Sequence, residues 1–153
     1  MSTPATINPR IIEALYCEAL VLSDEVRNAF TLSGRLERAG QDEDLARIAL
    51  SSEGLRTTSR MMHAIAWLLN HRAFFMGEIS EIQLRNHGRL AADMSQSRPD
   101  QLALLDPRIA RLVETTRHFY ERLLRLDRSW RANGGGASTI RRLHERIEQR
   151  LAG

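Results

Sequence analysis

The chain has 153 residues, of which 42% are apolar and 27% charged, enough material for one domain built on a single core. The net charge is only +3 and all 22 basic residues are arginine, so the basic character rests on planar, bidentate cations. A single cysteine, Cys17, excludes an internal disulfide and, among apolar neighbours, reads as a core residue in a reducing compartment.

Helix-forming Ala, Leu, Arg and Glu dominate, which points to an all-α fold. Residues 1–8 are small and polar and read as a disordered N-terminus. Asn8 and Pro9 then suit the cap and first turn of a helix. Its seam is Ile12, Leu15, Ala19, Leu22, Val26, Ala29, Ser33 and Leu36, in steps of three and four. Gly40 is the expected stop. A second helix begins near Asp42, with the seam Leu45, Ile48, Ser52, Leu55, Ser59, Met62, Ala66, Leu69, Ala73 and Met76. The period passes through Gly54 without a slip, so one continuous helix is expected, roughly 50 Å long.

A second apolar stripe accompanies the later half of that helix. It comprises Met61, Ile65, Leu68 and Phe75, with Trp67 and Phe74 between them. A helix apolar on two faces must be covered on two sides. The seam is expected to face the neighbouring helices, and the stripe to meet either a further local element or a second copy of the chain. These six residues are therefore the candidate dimer or partner interface.

Gly77 ends the helix, and Ser80 with Gln83 is a capping-box pattern that opens a short helix to about Ala92. Residues 93–104 read as a connector. Asp106 and Pro107 start a third long helix with the seam Leu112, Thr116, Phe119, Leu123, Leu126 and Trp130. Residues Asn133 to Gly136 read as a hinge. The segment from Ser138 to Leu151 is amphipathic, with Ile140, Leu143 and Ile147 on one face and Arg141, Arg142 and Arg146 among the charges. Those six are the candidate tail contacts. The expected plan is an antiparallel three-helix bundle over residues 9–132, a short helical insertion, and a flexible basic tail over 133–153.

No motif in the chain carries catalytic chemistry. The five histidines form no His-Glu-x-x-His pair, no cysteine cluster joins them, and there is no phosphate loop or nucleophile elbow. No catalytic, cofactor-binding or metal-ligating residue is assigned, and no cofactor is expected. An enzyme using Glu78, His71 or His118 is the poorest reading, because separate helices carry them. No apolar run approaches membrane-spanning length and no signal-peptide pattern opens the chain, so a soluble, cytoplasmic protein is expected. Residues 1–54 carry nine acids against five arginines, and residues 106–153 carry six acids against eleven arginines. A basic C-terminal third leaves a nucleic-acid-associated protein as the alternative. Acids interleave with those arginines, however, as on a salt-bridged helix surface.

The run from Glu53 to Met62, the segments Ala66-Trp67-Leu68-Leu69 and Arg72-Ala73, and Gly77-Glu78-Ile79-Ser80 resemble the central helix of the alphaproteobacterial family named for the regulator of CtrA degradation (RcdA). Leu123-Leu124-Arg125-Leu126-Asp127 is similar to that family's third helix, and the likeness spans most of residues 10–131. The resemblance implies a helical bundle that associates as a homodimer and carries a flexible C-terminal tail. It also implies a non-enzymatic adaptor that helps deliver cell-cycle regulators, such as the response regulator CtrA, to the ClpXP protease. The partner subunit would then cover the second apolar face of the middle helix.

Overall fold

The computed structural model describes the backbone of residues 7–39, 44–134 and 136–153, and the side chains of 7–32, 44–133 and 143–153. The chain is all-α. Its elements are α1 (Pro9–Ala39), α2 (Asp44–Phe75), α3 (Glu81–His87), a 3-10 turn (Ala92–Ser95), α4 (Pro99–Leu102), α5 (Pro107–Gly134) and α6 (Gly136–Leu151). Among the described residues no helix is long and apolar enough to cross a membrane.

The helix starts follow the local chemistry of the sequence. Asn8 Oδ1 accepts from the Ile11 amide at 3.0 Å, and Asp106 Oδ1 accepts from the Arg108 amide at 2.8 Å. Each caps a helix whose first residue is proline. The capping box at Ser80 is complete: Gln83 N–H donates to the serine Oγ at 3.1 Å, and Ser80 N–H donates to Gln83 Oε1 at 2.8 Å. Gly77, at φ +77°, turns the chain out of α2.

The three long helices pack against one another, but not in the expected antiparallel order. Phe30 lies on Gly54, and Glu13 pairs with Arg72 at 2.8 Å, so α1 and α2 are antiparallel. Arg60 bonds Thr116, Trp67 bonds Asp127, and Ala49 and Leu50 cluster with Ile109 and Val113. Numbers rise together along both helices, so α2 and α5 run parallel. The segment between them makes this possible. It starts beside the C-terminal end of α5, where Arg131 reaches the Arg85 carbonyl. It then passes Arg60 at residues 94 and 96 and Arg56 at Gln101, and ends with Leu105 against Ala49 and Leu50. The connector is a return strut that crosses the length of the packed helices.

α3 ends at His87, earlier than the expected Ala92. Gly88 N–H donates to the Leu84 carbonyl at 2.8 Å, and Leu90 beyond it is buried in the main core. Of the expected hinge residues, Asn133 and Gly134 belong to α5 and Gly136 opens α6. Gly40 and Gly135 lie outside the described residues, as do residues 1–6. Cys17 is exposed rather than in the core. It sits beside Glu18, whereas the buried row of α1 runs through Ile12, Leu15, Ala19, Leu22 and Val26 as the periodicity required.

Candidate interaction surface

The face of α2 that meets the core is not its regular seam. Met61, Trp67 and Leu68 are at most 2% exposed and sit in the main core with Leu15, Phe119 and Leu123. Ile65 and Phe75 are half-buried against the same cluster, and Phe74 is half-buried with its ring 5.4 Å from that of Phe75. Of the six residues expected at an interface, Met61, Trp67 and Leu68 are thus covered within the chain, while Ile65, Phe74 and Phe75 remain half-buried. Conversely, Leu45, Ile48, Leu55, Met62, Leu69 and Met76, expected to point inward, are between 42% and 72% exposed.

The physical reason for the exchange lies in the polar residues of the buried face. Glu53, Thr57, Arg60 and His71 are all fully buried, and they interrupt its hydropathy in the sequence. Arg60 makes this tolerable by spending its guanidinium on three acceptors. Nε donates to the Met94 carbonyl at 2.7 Å, Nη1 to Thr116 Oγ1 at 2.9 Å, and Nη2 to the Gln96 carbonyl at 3.0 Å. Arg117 takes the intervening Ser95 carbonyl at 2.8 Å. Three successive carbonyls of the return strut are therefore gripped by two arginines, which supply donors to an irregular, partly buried backbone. Burial, with Arg117 nearby, lowers the Arg60 pKa to about 10, so it stays charged at neutral pH. Glu53 pairs with Arg56 on the next turn.

A second polar cluster joins the other ends of α2 and α5. Trp67 Nε1 donates to Asp127 Oδ1 at 3.1 Å, and Arg131 Nε donates to both oxygens of that carboxylate. Asp127 is thereby the structural ion-pair partner its arginine neighbours suggested. His71 lies between the rings of Trp67 and Trp130, at 4.1 and 5.2 Å. Neither of its ring nitrogens has a hydrogen-bond partner, and burial pulls its pKa down to about 4. It is a neutral packing residue. Glu78 and His118 are exposed at the surface. Tyr120 donates to the Ala91 carbonyl, and burial followed by the nearby Asp93 carboxylate raises its pKa.

What remains open is an unbroken row along the outer side of α2. Large side chains stand at Ile48, Leu55, Met62, Leu69 and Met76, seven residues apart, with Ser52, Ser59, Ala66 and Ala73 between them. No charged residue interrupts the row. Next to its middle lies a groove of about 490 Å³ between α1 and α2, walled by Leu20, Val26, Phe30, Met61, Met62 and Ile65. The Ser23 hydroxyl, also on this groove, is buried without a partner. Gly54 permits the neighbouring packing, because a Cβ there would stand 3.1 Å from the Phe30 ring.

The tail residues contribute a separate exposed face. Leu143 and Ile147 are just over half exposed, and Arg146 is exposed. The side chains of Ile140, Arg141 and Arg142 lie outside the described residues. Among the described residues, no group of three or more His, Cys, Asp or Glu side chains is arranged to hold a metal ion. Several α5 arginines are committed: Arg117 to Glu114, Arg122 to Glu18 and Arg131 to Asp127.

A family model described as "Protein of unknown function (DUF1465)" matches residues 3–151. No curated protein and no solved structure matches the chain. With nearly its whole length covered by that family model, this protein belongs to the DUF1465 family.

Proposed function

We propose that this protein is a non-enzymatic adaptor of the RcdA type, a cytoplasmic homodimer that holds client proteins for delivery to the ClpXP protease. The observation that carries this reading is the uncharged heptad row left open on α2. Its occupant is a second copy of the chain, and the alternation of residue size argues for an antiparallel pair. In that arrangement Ile48 faces Ala73 of the other copy, Ser52 faces Leu69, Leu55 faces Ala66, and Ser59 faces Met62. Each of these four layers then combines one large and one small side chain, and only the end layer, Met76 on Leu45, sets two large ones together. A parallel pair would stack large on large and small on small, which leaves alternating gaps and clashes. Covering the five large side chains of the row removes on the order of 550 Å² per copy, and the small residues between them and the flanking Leu45 bring the patch toward the roughly 800 Å² per partner of a stable interface.

Pairing through α2 leaves α6 free for clients, with the apolar positions Leu143, Ile147 and Leu151 beside Arg146 and Arg150. A short helix that orders on binding makes weak, reversible contacts, which suits a protein that must release what it carries. The cell-cycle client and the protease enter through the resemblance of α2 and α5 to the RcdA family.

Sedimentation equilibrium tests the pairing. The full chain is expected to be dimeric at micromolar concentration. Met62→Glu, placed beside the two-fold axis, brings two carboxylates together and weakens association by about a hundredfold, with little change in the monomer's thermal unfolding. A wild-type chain that remains monomeric at high concentration overturns the pairing. A Met62→Glu dimer that still delivers client normally, at wild-type affinity, does the same.

A further inference from the structure

A cleft of about 380 Å³ lies on the other side of the molecule, between residues 89–92 and α5. Three arginines line it: Arg89 from the loop, and Arg128 and Arg131 from successive turns of the helix. Both walls are held in place. Gly88 is hydrogen bonded back to α3, Leu90 is buried, and the Ala91 carbonyl accepts from Tyr120. Arg131 is fixed by the Asp127 carboxylate through Nε and by the Arg85 carbonyl through Nη1 at 3.1 Å.

The charge in this cleft is not balanced. Its one carboxylate, Asp127, already accepts from Trp67 and Arg131. Arg131 Nη2 is closed off from solvent and has no acceptor. Arg89 and Arg128 meet neither a carboxylate nor a carbonyl among the described residues, although both are exposed and border the cleft. The rest of the lining is small and apolar: Leu90, Ala91, Ala92 and Leu124.

We propose that this cleft binds a small phosphorylated molecule, whose phosphoryl oxygens are taken by Arg89 and Arg128 with Arg131 behind them. The arginines come from two elements, the loop after α3 and the helix α5. A tetrahedral dianion offers oxygens to both, whereas a carboxylate offers two oxygens in one plane. The cleft is of small-ligand size and its apolar part fits a short carbon body, so a phosphomonoester suits it better than the bare ion. The site lies apart from the open row of α2, and its occupancy does not depend on the pairing of copies.

Calorimetric titration of the full chain with glycerol 3-phosphate, inorganic phosphate and succinate, at constant ionic strength, tests this. Saturable binding of glycerol 3-phosphate is expected, with amide shifts at residues 89–92. The double variant Arg89→Gln/Arg128→Gln, which removes two guanidiniums without partners among the described residues, weakens it by about tenfold or more. Arg10→Gln/Arg108→Gln, removing equal charge elsewhere, leaves it unchanged. Tighter binding of the ester than of inorganic phosphate assigns an organic ligand; equal binding assigns free phosphate. The proposal is overturned by no saturable binding, by an equal loss in the control variant, or by succinate binding as tightly as the ester.

Discussion

Replacing His71 with phenylalanine isolates the electrostatic cost of the buried imidazole. The side chain is fully buried between two tryptophans, and its pKa is lowered to about 4 from the 6.5 of an unstructured histidine. The unfolded chain therefore takes up a proton at a higher pH than the native one. The native state gains stability above pH 6.5 and loses it as pH falls toward 4. Linkage over that window gives a loss of about 2 kcal/mol by pH 5 and about 3 kcal/mol by pH 4 from this group alone. Phenylalanine keeps an aromatic ring in the slot and removes both unpartnered nitrogens, so His71→Phe should match or exceed wild-type stability at pH 7.5. Its advantage should then widen by about 2 kcal/mol at pH 5. Urea unfolding followed by far-ultraviolet circular dichroism, at equal protein concentrations, measures both values. A difference between the two proteins that stays the same at pH 7.5 and pH 5 refutes the reasoning.

Arg60→Met removes the donors to the Met94 and Gln96 carbonyls and to Thr116, and should cost about 3 kcal/mol, with amides of residues 92–98 exchanging fast in deuterium. Arg60→Lys should rescue little, since one ammonium cannot span three acceptors on different elements. Gly54→Ala sets a helix-propensity gain of about 1 kcal/mol against a Cβ pressed onto the edge of Phe30. Phe30 borders an open groove and can give way, so thermal unfolding should move little, and Gly54→Leu should be clearly destabilising. A chain ending at Asn133 should keep its stability within about 1 kcal/mol, because every described side chain of α6 is exposed. In a reconstituted degradation assay the same truncation should abolish the proposed client delivery while leaving the proposed self-association, read by sedimentation, unchanged.

Much of the local structure could be read from residue order. Asn8-Pro9, Asp106-Pro107 and the Ser80–Gln83 box mark helix starts because capping is a contact between residues two or three apart. The α1 row from Ile12 to Val26 is buried as its spacing requires, because only one face of that helix is continuously apolar. α2 was different. It offers two apolar faces, and the more regular one is the one left open. The buried face carries Glu53, Thr57, Arg60 and His71, which look like surface residues until their partners are known. The partners of Arg60 stand 34 to 56 positions away, at Met94, Gln96 and Thr116, and Trp67 on the same face reaches Asp127 60 positions on, whereas the Thr57 hydroxyl and the His71 ring nitrogens are buried without a hydrogen bond. The arginine-lined cleft was equally hidden, since Arg89 and Arg128 are ordinary surface arginines in the sequence and border one cleft only when the loop after α3 meets α5.

The order of residues thus settled what depends on neighbours along the chain: that the protein is helical, where most helices begin, and which side of α1 turns inward. Folding in three dimensions decided the direction of α5, which face of α2 is covered, and where the unpaired charge collects. The reason is one of range. Caps and helical periods are short contacts that residue spacing encodes directly, whereas a buried arginine is acceptable only if distant carbonyls reach it, and the return of residues 76–106 along the packed helices is what brings them there.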